Sequence, residues 1–346
     1  ILEQLTSLPL NKLVDRAVEE HGGARFLSHK VYVSDRRLEV TAHLTGSAPS
    51  SIVESWRDNG ILPSDVLPNA AERQLSYLVG CAFGRWDVRI GRDPSLAPEL
   101  PDPFDPVPIC PPGMLVGEDG FPVEVAPEGY PLEFPPDRIL LDEPGHQWDI
   151  EYRVRAAAKF LFEDADAAID EMVTTLGKRS LRDYLRTGFF KDHLSRYSMS
   201  RRAAPIYWHL SVPSKKWGVW VYAPSLSRET LFAVAREAQR RERLSADLVR
   251  QLSAEREAGG AGRPVSEVVK ELDAEEKLGE ELRVFRQEAE RVAELGWVPD
   301  LDDGMVLNAA PLADLFPMWK KAADYRKELR AGKHDWASVA RWSDQL

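Results

Sequence analysis

Residues 259–292 read GGAGRPVSEVVKELDAEEKLGEELRVFRQEAERV, a turn rich in glycine followed by a long helical pattern. Glycine and proline at residues 259–264 end one helix and turn the chain. Apolar residues then recur at spacings of 4, 3, 4 and 3, a heptad seam formed by Leu278, Leu282, Phe285, Ala289 and Val292. A stretch of helix-forming residues also runs from Ser227, a candidate cap, to about Ala258. Its weaker apolar stripe comprises Leu231, Val234, Ala238, Leu244, Leu248 and Leu252. The two stretches predict an antiparallel helical hairpin.

A β-hairpin is predicted just before this helical pair. The runs PIYWHLSV (205–212) and WGVWVYA (217–223) are rich in β-branched and aromatic residues, and Pro213-Ser214-Lys215-Lys216 joins them in a basic turn. Alternation along the first strand places Ile206, Trp208, Leu210 and Val212 on one face and Tyr207, His209 and Ser211 on the other.

The segment from Pro94 to Pro144 holds 14 of the 25 prolines. This density excludes long helices and central strands, so the segment is predicted to be an extended wrap. Ile139–Leu141 is a short strand candidate within it. Residues 1–45 predict a helix and a strand pair, the latter from the alternation of Val31, Val33, Leu38 and Val40. Residues 50–92 are mainly helical, interrupted near Pro63 and Pro68, with an apolar face made of Leu75, Leu78, Val79, Ala82 and Phe83.

The predicted fold class is α+β and helix-rich. It has five parts in chain order: 1–93, mostly helical and continuing from an upstream domain; 94–150, Pro-rich and extended; 151–225, a basic helix plus the β-hairpin; 226–296, the helical hairpin; and 297–346, a C-terminal helical closure around Trp319, Tyr325, Trp336 and Trp342.

Composition indicates a globular protein. Of its 346 residues 43% are hydrophobic and 29% charged, and no apolar run is long enough to cross a membrane. Two cysteines, Cys81 and Cys110, favour a reducing cytoplasm, and a disulfide between them stays open as a less favoured alternative. The chain starts at Ile1 inside a helical pattern, which predicts that it is a piece of a longer protein.

Charge is segregated along the chain. The formal net charge is −11, yet residues 178–202 carry +6, which leaves −17 for the remainder. A basic helix entering a basic-tipped hairpin is typical of a surface that neutralises DNA phosphates. The candidate DNA contacts are Lys178, Arg179, Arg182, Arg186, Lys191, Arg196, Arg201, Arg202, Tyr207, His209, Lys215 and Lys216. The alternative is that these arginines pair with the protein's own carboxylates and that the hairpin aromatics belong to the core.

No complete catalytic, cofactor or metal site is recognisable. Cys110-Pro111-Pro112-Gly113 lacks the polar and aromatic neighbours of an adenine-binding segment, and Phe83-Gly84-Arg85-Trp86 lacks the second glycine of a cofactor loop. A phosphate loop and zinc-ligand spacing are also missing. The acidic run Asp300–Asp303 is typical of a turn; a calcium loop and a nuclease site are weaker alternatives.

Four segments nevertheless resemble a known family. They are LSYLVGCAFGRWDVRIG (75–91), ILLDEPGHQWDI (139–150), LRDYLRTGFFKDHLSRYSMSRRAAPIYWHLSVPSKKWGVWVY (181–222) and GWVPDLDDGMVLNAAPLADLFPMWKKA (296–322). In this order they resemble the C-terminal region of PglX-like, BREX-type adenine-specific DNA methyltransferases and related fused restriction-modification methylases. The resemblance spans roughly residues 50–346.

The resemblance implies a parent enzyme that uses S-adenosylmethionine to methylate adenine N6 and so marks host DNA against phage. Its methyltransferase domain lies upstream, with recognition and spacer elements downstream. Two functions are therefore expected: a non-catalytic DNA-recognition and spacer region, or a structural module that docks other defence-system subunits. The expected partners are duplex DNA, the upstream domain and such subunits, and no membrane. No cofactor is expected in this chain.

Within these segments some residues have simpler expected roles. Arg85 is expected to pair with Asp87 or another acid, Trp208 to be buried in the hairpin, Asn308 to cap the last helical unit, and Trp319 and Trp336 to lie in the core.

Overall fold

The computed structural model describes the backbone of residues 25–34, 37–45, 94, 198–199 and 202–203, and in more detail residues 70–93, 95–96, 110, 113–197, 205–299 and 308–333. The predicted first helix, the Pro63/Pro68 interruption, the Asp300–Asp303 turn, Trp336 and Trp342 lie outside these residues. Within them, no helix is both long and apolar enough to cross a bilayer.

The chain divides into two compact units, which are described separately. The first comprises Ile1–Arg73 and Glu99–Pro108. Its described part is an antiparallel hairpin of β1 (Arg25–Ser34) and β2 (Arg37–Thr45), with Val31 opposite Val40 and Val33 opposite Leu38. The predicted strand pair is therefore confirmed.

The second unit comprises Gln74–Pro98 and Ile109–Leu346. Helix α1 (Ala70–Ala82), which begins just before this unit, leads to the short α2 (Val88–Arg92). The whole predicted apolar face of α1, including Phe83 just after it, is buried. Residues 113–138 form turns and single bridges, such as Trp86 with Met114, as the proline density predicts.

A run of short elements follows. They are β3 (Ile139–Leu141), α3 (Ile150–Leu161), α4 (Ala165–Thr175), α5 (Leu181–Tyr184), a π-helical turn (Leu185–Phe189), α6 (Phe190–Arg196), β4 (Ser198–Met199) and β5 (Arg202–Ala203). Side chains of Asp149, Asp164 and Ser180 accept backbone N–H groups at the starts of α3, α4 and α5, which fixes where these helices begin.

The predicted hairpin is formed by β6 (Tyr207–Ser211) and β7 (Gly218–Tyr222), and β3 extends it to a three-stranded antiparallel sheet in the order β3-β7-β6. All five residues of each hairpin strand are buried, so both faces of the sheet are covered. Both faces of β6 therefore pack against the core, which agrees with the alternative that the hairpin aromatics belong to the core.

The helical hairpin consists of α7 (Thr230–Glu257) and α8 (Val265–Glu294). The α8 seam is buried as predicted. The α7 stripe is partly wrong, because Leu244 and Leu248 are exposed and Ser245 takes the inner position. The Ser245 hydroxyl donates to the Glu275 carbonyl oxygen at 3.1 Å, and Gly279 lies against it, so the helices approach closely there.

A 3-10 turn (Ala310–Leu315) and α9 (Lys320–Arg330) close this unit. Trp208 and Trp319 are buried as expected, with ring centroids 6.4 Å apart, and Phe316 packs edge-on to both. Cys81 and Cys110 are free thiols. The fold is α+β and helix-rich, as the sequence predicts.

Candidate functional site

Arg182, a predicted DNA contact, is an internal ion-pair residue. Its Nη1 lies 2.6 Å from Asp142 Oδ1, its Nη2 2.7 Å from Asp149 Oδ2, and its Nε 2.9 Å from Glu151 Oε2. Asp142 and Asp149 are almost fully buried. A guanidinium that is already held by three carboxylates has no free donor edge for a phosphate. The prediction that Arg182 contacts DNA is wrong in this fold.

Arg186 lies one helical turn further on, on the same side of the chain. Its Nε lies 2.5 Å from Asp142 Oδ2, and its Nη2 donates to the Lys216 carbonyl oxygen at 3.2 Å. Asp142 therefore bridges two arginines at the end of β3, and Arg186 ties the hairpin turn to this cluster. Arg186 therefore has a structural role here, and its predicted contact with DNA stays a prediction because its side chain is 27% exposed.

Tyr207 and His209 are likewise unavailable to DNA. Each is about 1% exposed. The His209 ring stacks on Trp220 with centroids 4.1 Å and planes 5° apart, and the Tyr207 ring stacks on Phe83 at 4.9 Å. Their assignment as DNA contacts is wrong because the sheet is covered on both faces, which alternation within one strand cannot show.

Five of the predicted cations are exposed or partly exposed and also have no carboxylate partner among the described residues. Arg179, Lys191 and Lys216 are exposed, while Lys178 and Lys215 are partly exposed. None of the five forms an ion pair with a carboxylate in the part of the chain that the structure describes. Lys178 Nζ donates to the Thr187 hydroxyl at 3.1 Å. Thr187 follows Arg186, whose guanidinium donates to the hairpin turn at Lys216. We call these five residues the exposed cation set.

The other predicted contacts are Arg196, Arg201 and Arg202. Arg196 is half-buried near His193. Arg201 and the Arg202 side chain lie outside the described residues, so their predicted role stays a prediction.

The four segments that carry the family resemblance meet in one core. Arg182 from the third segment binds Asp142 and Asp149 from the second. Tyr207 stacks on Phe83 from the first segment, and Trp208 packs against Trp319 from the fourth. These four segments therefore contribute to packing and ion pairing inside this unit.

The expected pair of Arg85 with Asp87 is wrong. Asp87 accepts the Arg89 backbone N–H at the start of α2 and is bound by the Arg89 guanidinium, with Nη2 2.6 Å from Oδ2. Arg85 instead lies over the Trp86 ring, 4.4 Å from its centroid. Gly80 allows that indole to approach α1, since a side chain at this position would overlap it.

Sequence reasoning missed the carboxylates Asp142 and Asp149. A usable signal existed: two acids bracket the turn DEPGHQWD, and Arg182 and Arg186 are spaced to share one helical face. The pairing itself is long-range, so no local pattern identifies it.

Among the described residues, no group of three or more His, Cys, Asp or Glu side chains is placed to hold a metal ion. No protein-family profile and no curated protein matches the chain.

Two buried histidines make stability depend on pH. Burial, with the nearby charges of Arg186 and Lys215, lowers the pKa of His209 from 6.5 to about 3. Burial, with the charges of Arg196 and Arg85, lowers the pKa of His193 equally to about 3. Below pH 6.5 the unfolded chain takes up protons at these positions that the folded chain does not bind. The stabilisation is therefore fully present above pH 6.5 and is lost as pH falls toward 3.

We expect the free energy of unfolding, measured by urea titration at pH 7, 6 and 5, to fall with decreasing pH, each histidine approaching about 1.4 kcal/mol per pH unit. His209→Gln should make this slope shallower. Gln251→Ala, at an exposed residue without a titratable group, is the control and should leave the slope unchanged. Equal slopes in the parent chain and the His209 variant would contradict the assignment.

Proposed function

We propose that this chain is the non-catalytic C-terminal recognition and spacer region of an adenine-specific DNA methyltransferase of the phage-defence type, acting in the cytoplasm. The proposal rests on the four resembling segments and, in the structure, on the exposed cation set. No carboxylate among the described residues forms an ion pair with these five cations, whereas Arg182 and Arg186 are paired inside the fold.

The exposed cation set is suited to binding the DNA backbone. Lysine and arginine side chains neutralise phosphates without regard to sequence, and each contact releases counterions. The clamp of Arg182 and Arg186 on Asp142 fixes the helical segment and the hairpin turn that carry these cations. In this proposal the upstream domain binds S-adenosylmethionine and the target adenine, and this chain holds the duplex beside it.

DNA affinity tests the proposal directly. We expect the triple variant Lys178→Glu, Arg179→Glu and Lys191→Glu to bind duplex DNA at least about tenfold more weakly. The slope of log affinity against log salt should fall by about 2–3, since each lost phosphate contact removes about 0.9. Fluorescence anisotropy with a labelled duplex at several salt concentrations measures both quantities.

The matched control reverses three exposed cations on the helical hairpin, Arg256, Lys270 and Lys277. It changes the net charge by the same amount and should keep most of the affinity. Equal weakening in the two triple variants would show that the loss of DNA affinity depends on net charge alone, and it would contradict the proposed binding surface. Arg201→Glu with Arg202→Glu extends the test to the neighbouring arginines and should also weaken binding.

A structural module that does not touch DNA is the second candidate, and the surface of the helical hairpin favours it. Ion pairs cross between its helices, with Arg286 Nε 2.8 Å from Glu242 Oε2 and Arg241 Nη1 2.8 Å from Glu275 Oε1. A groove of about 450 Å³ lies along α8 beside the 3-10 turn, where Val284 is 52% exposed. This candidate predicts no duplex binding even at low salt, together with restored methylation when the chain is added to the separated upstream domain.

A further inference from the structure

The helical hairpin carries a row of exposed arginines that the exposed cation set does not include. Arg236, Arg243 and Arg250 of α7 are exposed, whereas Ser245 and Leu252 of the same helix are buried. Residues seven apart lie on nearly the same side of an α-helix, because seven residues make almost two full turns. At a rise of about 1.5 Å per residue, neighbouring arginines are about 10.5 Å apart along the helix axis. We call these three residues the α7 arginine row.

The row has few carboxylate partners. Among the described residues Arg236 and Arg243 form no ion pair, although the charge of Arg236 acts on the nearby Asp137. Arg250 pairs with Asp247, but these two side chains are 76% and 52% exposed. Such an exposed pair contributes little to stability and can open when another anion binds the guanidinium. Asp247 is also the one acid among the exposed residues from Arg236 to Arg250, so the row presents a positive surface to solvent.

The base of the row adjoins the hairpin turn that carries part of the exposed cation set. Arg240 lies between the first two arginines of the row, and its Nη2 is 2.6 Å from Glu143 Oε2. The same carboxylate oxygen accepts the Trp217 indole N–H at 3.1 Å. Trp217 directly follows Lys216, a member of the exposed cation set. The two groups of cations are therefore neighbours on one unit of the fold.

The two helices of the hairpin differ in charge. Residues 230–257 of α7 contain six arginines and five acids, a net charge of +1, whereas residues 265–294 of α8 contain five cations and ten acids, a net charge of −5. Ser245, on the opposite side of α7 from the row, contacts α8 through its hydrogen bond to Glu275. The row therefore faces away from the acidic helix, and the repulsion of α8 directs a polyanion to the side of α7 where the row lies.

We propose that the α7 arginine row binds the backbone of duplex DNA and extends the surface that begins at the exposed cation set. This inference rests on the proposed DNA-binding function, and it makes the helical hairpin a DNA contact in addition to a spacer. The row spans about 21 Å of a straight helix, which corresponds to about six base pairs of duplex. Arginine binds phosphate oxygens through its planar guanidinium, and such contacts fix the duplex in position without reading its sequence.

Neutralising the row tests the inference. We expect the triple variant Arg236→Gln, Arg243→Gln and Arg250→Gln to bind duplex DNA at least about tenfold more weakly, because three phosphate contacts are removed. The slope of log affinity against log salt should fall by about 2–3, since each lost contact removes about 0.9. Glutamine has a helix propensity close to that of arginine, and the replaced side chains are exposed, so α7 should remain folded. Fluorescence anisotropy measures affinity and slope, and far-ultraviolet circular dichroism checks the helix.

The matched control replaces other exposed cations of the same hairpin with glutamine, namely Arg256, Lys270 and Lys277. It removes the same charge from other faces of the two helices and should keep most of the affinity. Equal weakening in the two glutamine variants overturns the inference, because the loss would then follow net charge alone.

Photochemical cross-linking locates the DNA without changing the charge of the chain. Ala246 is exposed between Arg243 and Arg250 on α7, and Ser266 is exposed in the first turn of α8. A photoreactive benzoylphenylalanine introduced at position 246 should cross-link to a labelled duplex on irradiation. The same group at position 266 is the control and should cross-link much less. Equal yields at the two positions overturn the inference.

The experiment separates this inference from the proposed function on which it rests. Parent-like affinity of the glutamine row variant, together with weaker binding when Lys178, Arg179 and Lys191 are reversed, overturns the row and leaves the DNA role in place. No binding of duplex DNA by the parent chain at low salt overturns both. Weaker binding by the row variant, a reduced salt slope and a cross-link from position 246 support the row.

Discussion

Replacing Asp142 with alanine is expected to lower the free energy of unfolding by about 3–5 kcal/mol, the range for removing one partner of a buried ion pair. This carboxylate is 2% exposed and accepts from both Arg182 and Arg186. Without it, the half-buried guanidinium groups of Arg182 and Arg186 lose the carboxylate that they share. Urea unfolding at pH 7, followed by far-ultraviolet circular dichroism, measures the loss.

Asp166→Ala is the matched control. Asp166 also pairs with an arginine, Arg155, at 2.7 Å, but its side chain is 68% exposed. An exposed pair contributes about 0–1 kcal/mol, so this variant should unfold almost as the parent chain does. Similar losses in the two aspartate variants would mean that burial does not decide the strength of the Asp142 cluster.

Trp220→Ala is expected to be at least as damaging, with a loss of about 3–5 kcal/mol from the lost burial and the cavity left behind. Trp220 lies in β7, the central strand of the sheet, and is fully buried. It stacks on His209 and contacts Phe189 and Phe190, with centroids 5.4 and 5.9 Å away. The cavity would therefore open between the sheet and the π-helical turn, where several large rings meet.

Tyr152→Ala provides the comparison on α3, where the ring is 57% exposed. We expect a change within about 0.5 kcal/mol, as for most surface substitutions. Trp220→Phe should fall between the two, because it keeps a ring and removes part of the volume. If Trp220→Ala unfolded like Tyr152→Ala, the sheet would not be the core of this unit.

The sequence predicted the elements of the fold more reliably than the accessibility of their side chains. The β6–β7 hairpin and the α8 seam follow from short periodic patterns, because alternation and heptad spacing report local geometry. The α7 stripe was predicted less well. There, Ser245 occupies an inner position through a hydrogen bond to α8, and no apolar pattern marks such a residue.

The candidate DNA-binding residues show the same limit. Because Arg179 and Arg182 lie in the same basic stretch, both were predicted to contact DNA. In the structure Arg182 is paired with three acids, while Arg179 is exposed. Counting charges along the chain gives the net charge of a region. It does not identify which cation meets a carboxylate from 33 or 40 residues away.

By itself, the sequence determined the helix-rich α+β class, the helical hairpin, the lack of long helices among described residues 113–138 and the concentration of positive charge between residues 178 and 216. The tertiary structure alone decided that Asp142 and Asp149 bind Arg182, that Tyr207 and His209 are enclosed, and that Arg85 lies over the Trp86 ring and pairs with no carboxylate among the described residues. The physical reason is range. Secondary structure follows from hydrogen bonds and side-chain spacing over a few residues, whereas burial and ion pairing depend on which distant segments the packed core brings together.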